Sequence, residues 1–178
     1  MSPIRRLGRV GYDLIKVGKH TFTHLLIGLV YAWILRELWQ QLSTWYITLS
    51  ALASILPDLD HGLYFAAYGR KEWYALEVRK LLKQGQIRTL VYFMKTNHKY
   101  NTGLATHNIY FLGAFLVFAL LSFTHDSKTG VVIFGAIVLH LLFDAIDDVW
   151  VLGRLNENWK RLRRRPSSPP AHLDIIEK

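Results

Sequence analysis

In the stretch ASILPDLDHGLYF, residues 53–65, a run of small and apolar side chains stops at Pro57. It then delivers Asp58, Asp60 and His61 within four positions. Single histidines interrupt three other apolar stretches: His24 in THLLIG, His107 in GLATHN and His140 in HLLFD. In the last of these Asp144 follows four residues later, on the same helical face. Imidazoles and carboxylates are nitrogen and oxygen ligands suited to Zn, Mn or Fe, with Zn the first choice. The chain has no cysteine, which excludes disulfides and thiolate metal sites. Three or four such ligands leave open positions on Zn, the arrangement that activates water and polarises a substrate oxygen. A spare carboxylate, Asp60 or Asp147, is then the candidate general base, and Asp60 is preferred because PDLD lets it face the same ion as Asp58. Seven candidates exceed what one tetrahedral ion needs. That leaves room for a second ion, or for carboxylates that orient ligating histidines.

Each residue alone has an ordinary explanation. His24 is readable as a packed histidine, Asp58 or Asp60 as a cap on the following short helix, and His107 as a helix-start residue. The case for a metal site is their convergence, and that depends on the elements that carry them. Half of the 178 residues are apolar (51%), yet the net charge is +9, so apolar and basic residues must be segregated along the chain. Four apolar blocks stand out, at 21–35, 38–57, 100–124 and 129–143. A membrane-spanning helix needs about 20 mainly apolar residues, which the second and third blocks supply outright and the others only with their flanks. A soluble all-α core is the competing reading. The basic residues arbitrate: with the N-terminus inside, 20 of the 22 Lys and Arg fall on the inner segments, leaving only Arg36 and Lys128 outside. The sequence therefore predicts a single all-α membrane domain over 1–158 and a flexible basic tail over 159–178. The domain is expected to be a bundle of about four transmembrane helices with a cytoplasmic helical loop. It is placed in the inner membrane with both termini cytoplasmic. The opening residues lack the charge-then-apolar order of a cleaved signal peptide. On this topology His24, Asp58, Asp60, His61, His107, His140 and Asp144 all come to the inner end of the bundle. Ionisable groups at such depth are costly and mark function.

The order THLLIG, LPDLDH, GLATHN, HLLFD resembles the bacterial and archaeal membrane-bound metal-dependent hydrolases, the group that includes the LexA-regulated inner-membrane protein. The resemblance covers about residues 21–148. It implies an α-helical membrane fold and metal-dependent hydrolase activity, and it nominates the same seven residues. Two departures are visible. The family has a compact His-Arg-Gly before its Thr-His, whereas here the nearest upstream histidine is His98. It also tends to have Thr soon after the last Asp, where this chain has Asp147 and Asp148. Those extra carboxylates suit either a second metal or a basic neighbour.

The inner loop reads as two short helices broken at KQGQ. In the second, Ile87, Leu90, Val91 and Met94 follow helical spacing, with Arg88 and Lys95 nearby. Such a helix suits either an anionic membrane surface or packing on the bundle. The tail WKRLRRRPSSPP carries a basic cluster, including Arg161, Arg163, Arg164 and Arg165, that would attract anionic phospholipid. Nucleic-acid binding would call for aromatic interleaving or a recognised fold, and neither is seen. Two functions follow. One is a metal-dependent hydrolase acting at the cytoplasmic face on a phosphoester or lipid-derived substrate; the other is a non-catalytic membrane protein with a structural metal. His125 and His172 have no part in either.

Overall fold

The computed structural model describes residues 3–40, 43–100 and 104–160, with side chains from residue 19 onward apart from Tyr100. The basic cluster at 161–165 and the rest of the tail lie outside the described residues. In order come α1 (Pro3–Trp39), α2 (Thr44–Ile55), a 3-10 turn at Leu56–Asp58 and the short α3 (Leu59–Leu63). A π turn at Tyr64–Tyr68 leads to α4 (Trp73–Lys83), α5 (Ile87–Asn97), α6 (Ile109–Thr124) and α7 (Lys128–Leu152). No strand occurs among the described residues.

Helix α7 packs on α1, α2 and α6. It runs antiparallel to α1: His24 meets Asp144, Tyr31 donates its hydroxyl to the Val131 carbonyl at 3.0 Å, and Lys128 lies over the Trp39 ring. Helices α1 and α2 approach closely at Gly28, whose carbonyl accepts from the Ser50 hydroxyl at 2.7 Å. A Cβ at Gly28 would lie 2.7 Å from the Ser50 carbonyl oxygen, so only glycine fits there. Asn108 caps α6 by accepting from the Tyr110 and Phe111 amides. Gly153, in the left-handed region at φ 68°, ends α7. The chain then turns back to bury Trp159, the first residue of the predicted tail, against the α7 core with Ala136, Ile137 and Leu141. A second apolar core forms around Tyr64, Tyr74, Leu81, Leu90 and Phe93.

Among the described residues, two helices are long and apolar enough to cross a membrane, Lys19–Trp39 and Lys128–Leu152. Only 22% and 44% of their most apolar windows are buried inside the molecule, so most of that surface faces outward. The sequence assigns the longest blocks to 38–57 and 100–124, and the structure reverses that order. Helix α2 has 12 residues and α6 has 16, about 18 and 24 Å at 1.5 Å per residue. Both fall short of the ~20 residues that a span needs. The causes are local: α2 begins only at Thr44 and ends before Pro57, which lacks an amide hydrogen, and residues 104–108 form a non-helical turn in which Asp60 binds the amides of Ala105 and Thr106. The inner loop does break between α4 and α5, over 84–86. Leu90 and Val91 of the α5 stripe are buried and Met94 packs on the second core, while Ile87 is exposed. Most of the apolar face of α5 is therefore spent on internal packing.

Candidate metal centre

At the end of the bundle away from Trp39 and Lys128, the chain ends of α2 and α6 meet the sides of α1 and α7. Helix α2 stops at Ile55, and its last carbonyls, which have no partner within the helix, become available to neighbours. The Ser54 carbonyl accepts from His140 Nδ1 at 2.6 Å. A carbonyl can only accept, so Nδ1 carries a hydrogen, which leaves Nε2 as the ring nitrogen free to offer a lone pair to a metal. That nitrogen lies 3.1 Å from Asp144 Oδ2, itself an acceptor.

Asp144 is the hub of the cluster. Its Oδ2 lies 3.1 Å from both His107 Nε2 and His140 Nε2. Its Oδ1 lies 3.2 Å from His24 Nε2 and 3.4 Å from His20 Nε2, and those two nitrogens are 3.1 Å apart. The His20–His24 contact is a hydrogen bond, but the contacts to Asp144 are not aligned as hydrogen bonds: both Asp144 oxygens, His107 Nε2 and His140 Nε2 are buried without a hydrogen-bond partner. Asp58 Oδ1 is 3.9 Å from His140 Nε2, and its Oδ2 is also buried and unpartnered. His61 stands edge-on to His107, ring centres 5.2 Å apart, with Nδ1 unpartnered. Each of the sets His20–His24–Asp58, His24–His140–Asp144 and Asp58–His107–His140 offers three ligand atoms within 4.8 Å of one another. Buried His and Asp groups here are able to hold a metal ion. Their spacing fits one: ligands about 2.0–2.1 Å from a tetrahedral ion stand about 3.3 Å apart.

Asp60 is differently employed. Its Oδ2 accepts from the Ala105 amide, the Thr106 amide and the Thr106 hydroxyl at 2.8, 2.8 and 2.9 Å, while Oδ1 accepts from the Tyr68 hydroxyl. Burial opposes charge on Asp60, but the surrounding donors from His107, Tyr68 and Thr106 outweigh it and hold the carboxyl well below its usual range. His107 Nδ1 is 3.7 Å from the same Oδ2, so Asp60 backs His107 from outside the cluster. Neither Asp58 nor Asp60 makes a side-chain cap on α3. For His61 the dominant influence is burial, reinforced by His107, and its imidazole is pushed down to about 4.

The structure thus brings His24, Asp58, His61, His107, His140 and Asp144 to one place and sets Asp60 at its edge. Asp147 and Asp148 do not join it. Both bind Lys99, at 2.6 and 2.7 Å, and Asp148 also accepts from the Trp159 indole. His98 lies near the cluster but belongs to none of the three-ligand sets, its Nδ1 at 2.9 Å from the Lys95 carbonyl. His20 is the residue that sequence reasoning missed. Its signal was present, since His20 and His24 have the same four-residue spacing as His140 and Asp144.

Fold and cluster define, among the described residues, an all-α protein with two helices long and apolar enough to cross a membrane and a buried histidine–aspartate site able to hold a metal. No family model, curated protein or solved structure matches the chain.

Proposed function

We propose that the protein is a membrane-embedded, metal-dependent hydrolase that works at the cytoplasmic face on a phosphoester or lipid-derived substrate. The observation that carries the reading is the contact between His140 Nε2 and Asp144 Oδ2. Two acceptors 3.1 Å apart in a buried site repel unless a proton or a cation lies between them. Three more histidines crowd the same carboxylate, so protonating all of them would gather several positive charges around one negative one. One or two divalent ions resolve the conflict, and with imidazole and carboxylate donors Zn is the first choice, ahead of Mn and Fe. Asp144 would hold such an ion together with His20 and His24, which lie against its Oδ1, and with His107 and His140, which lie against its Oδ2.

Such an ion supplies Lewis acidity, polarising a phosphoryl or carbonyl oxygen and lowering the pKa of water. The protein's own contributions are distinct. Ser54 fixes the His140 tautomer, and Asp60 holds the 105–107 turn that presents His107. Asp58, with one oxygen uncommitted beside the site, replaces Asp60 as the preferred general base. In hydrolysis the water oxygen bonds to phosphorus as the ester P–O bond breaks. The water proton passes through Asp58 to the leaving oxygen. The motif resemblance to membrane-bound metal-dependent hydrolases supports the same activity, and the charge asymmetry supports the cytoplasmic placement.

Elemental analysis of the purified protein, followed by a panel of chromogenic phosphoesters and carboxyl esters, tests the proposal. We expect one to two equivalents of a divalent metal, loss of most of it in Asp144→Asn and His140→Gln, and metal-dependent turnover of a phosphoester. Metal-free protein that takes up none on titration refutes the site. Bound metal without turnover of any ester favours the structural alternative.

A further inference from the structure

Beside the cluster, between α1 and α5, lies a cavity of about 480 Å³, within the ~300–1,000 Å³ range of small-molecule sites. His20, Asp58 and His61 of the cluster line it, so whatever fills it reaches the candidate metal centre. Its outer wall is one face of α5. Arg88 and Lys95 stand two helical turns apart on that face, with Val91 and Tyr92 between them.

The state of these two cations sets them apart. Neighbouring cations are committed: Arg79 donates to the Phe65 and Arg70 carbonyls, and Lys99 binds Asp147 and Asp148. Arg88 and Lys95 have no hydrogen-bond or ion-pair partner among the described residues. The rest of the lining is largely apolar, with Phe65, Val91, Met94 and Leu104. A ligand complementary to this cavity carries an anionic group for two cations and an apolar body for the remaining wall. Two unpartnered cations on one wall match a phosphate, which can hold two negative charges and accept a guanidinium fork, better than a single carboxylate.

We propose that this cavity binds a phosphate-bearing amphiphile, with Arg88 and Lys95 as its phosphate anchors. The proposal rests on the hydrolase reading for the fate of the ligand, while binding itself requires no ion. Helix α5 thereby has two tasks: Leu90 and Phe93 pack into the second core, while Arg88, Val91, Met94 and Lys95 face the cavity.

The test is equilibrium binding to the full chain, purified in a neutral detergent and freed of metal by chelation. The probes are dihexanoyl phosphatidic acid, dihexanoyl phosphatidylcholine and inorganic phosphate. Saturable binding of phosphatidic acid is expected, at least tenfold tighter than either other probe. The Arg88→Gln/Lys95→Gln double variant should lose at least tenfold in that affinity while keeping the wild-type melting temperature and metal capacity. Binding should survive in His140→Gln, so failure of the metal site and failure of this proposal give different results. Equal affinity for inorganic phosphate would show a plain anion site. Equal affinity for phosphatidylcholine would show partition into an apolar cavity. Either result, or unchanged binding in the double variant, overturns the proposal.

Discussion

Asp58 and Asp60 are two residues apart and chemically identical, yet their surroundings predict opposite responses to the same substitution. Asp60 is 3% exposed and accepts three hydrogen bonds on one oxygen from residues 105 and 106. In Asp60→Asn the side-chain carbonyl can take over all three, but as a neutral acceptor. Hydrogen bonds to a charged group contribute about 1.5–3 kcal/mol and neutral ones about 0.5–1.5, so the loss is about 1 kcal/mol per bond and about 3 kcal/mol in all. For a chain of this size that lowers Tm by about 6–12 °C. Asp58 Oδ2 has no partner to lose, so Asp58→Asn should stay within about 1 kcal/mol of wild type while its metal affinity falls at least about tenfold. Thermal unfolding of the chelated proteins in detergent reads the first quantity, and metal titration reads the second. If metal-free Asp60→Asn melts with wild type, or if Asp58→Asn is as unstable as Asp60→Asn, the division of labour between the two carboxylates is wrong.

Gly28→Ala should destabilise the bundle by about 1–3 kcal/mol in the same melting assay, because its Cβ would lie 2.7 Å from the Ser50 carbonyl oxygen. His61 is held neutral down to about pH 4, whereas the unfolded chain takes up its proton near 6.5. Acid therefore favours the unfolded state, and the chelated protein should lose up to about 3 kcal/mol on titration from pH 6.5 to pH 4; His61→Phe should flatten that slope, and an unchanged slope would place the titrating group elsewhere. For orientation, a cysteine at Ser127 should react with an impermeant thiol reagent from outside intact cells while one at Ser167 stays protected, and the reverse pattern would invert the topology.

The convergence of the histidines and aspartates was legible because the signal is topological. If helices alternate in direction, residues near the end of one block and the start of the next share a level, whatever the packing. Helix lengths were less legible. Hydropathy sees 38–57 and 100–124 as continuous apolar runs, but the first is cut by Pro57. The second starts late because Asp60 claims the amides of residues 105 and 106 for itself. That contact joins residues 45 positions apart, which no local pattern reveals. The same blindness made Asp60 look like the free carboxylate and Asp58 its equal, since PDLD contains nothing that separates a saturated oxygen from an unpartnered one. His20 was hidden by its setting among Lys16 and Lys19 in a basic stretch, although its spacing to His24 carried the information. The Asp147 and Asp148 pair found a basic neighbour, Lys99, on a segment whose position relative to α7 depends on the whole fold.

The spread of the cluster along the chain sets an order of assembly. His20, His24 and Asp58 leave the ribosome first and form one of the three-ligand sets by themselves. Asp144, the carboxylate around which the other histidines gather, arrives more than 80 residues later, and Trp159, which braces the neighbouring Asp148, later still. A nascent chain halted between α5 and α6 would hold at most the early set. The second half of the site awaits α7, so the complete site of the proposed form assembles only after α7 has emerged.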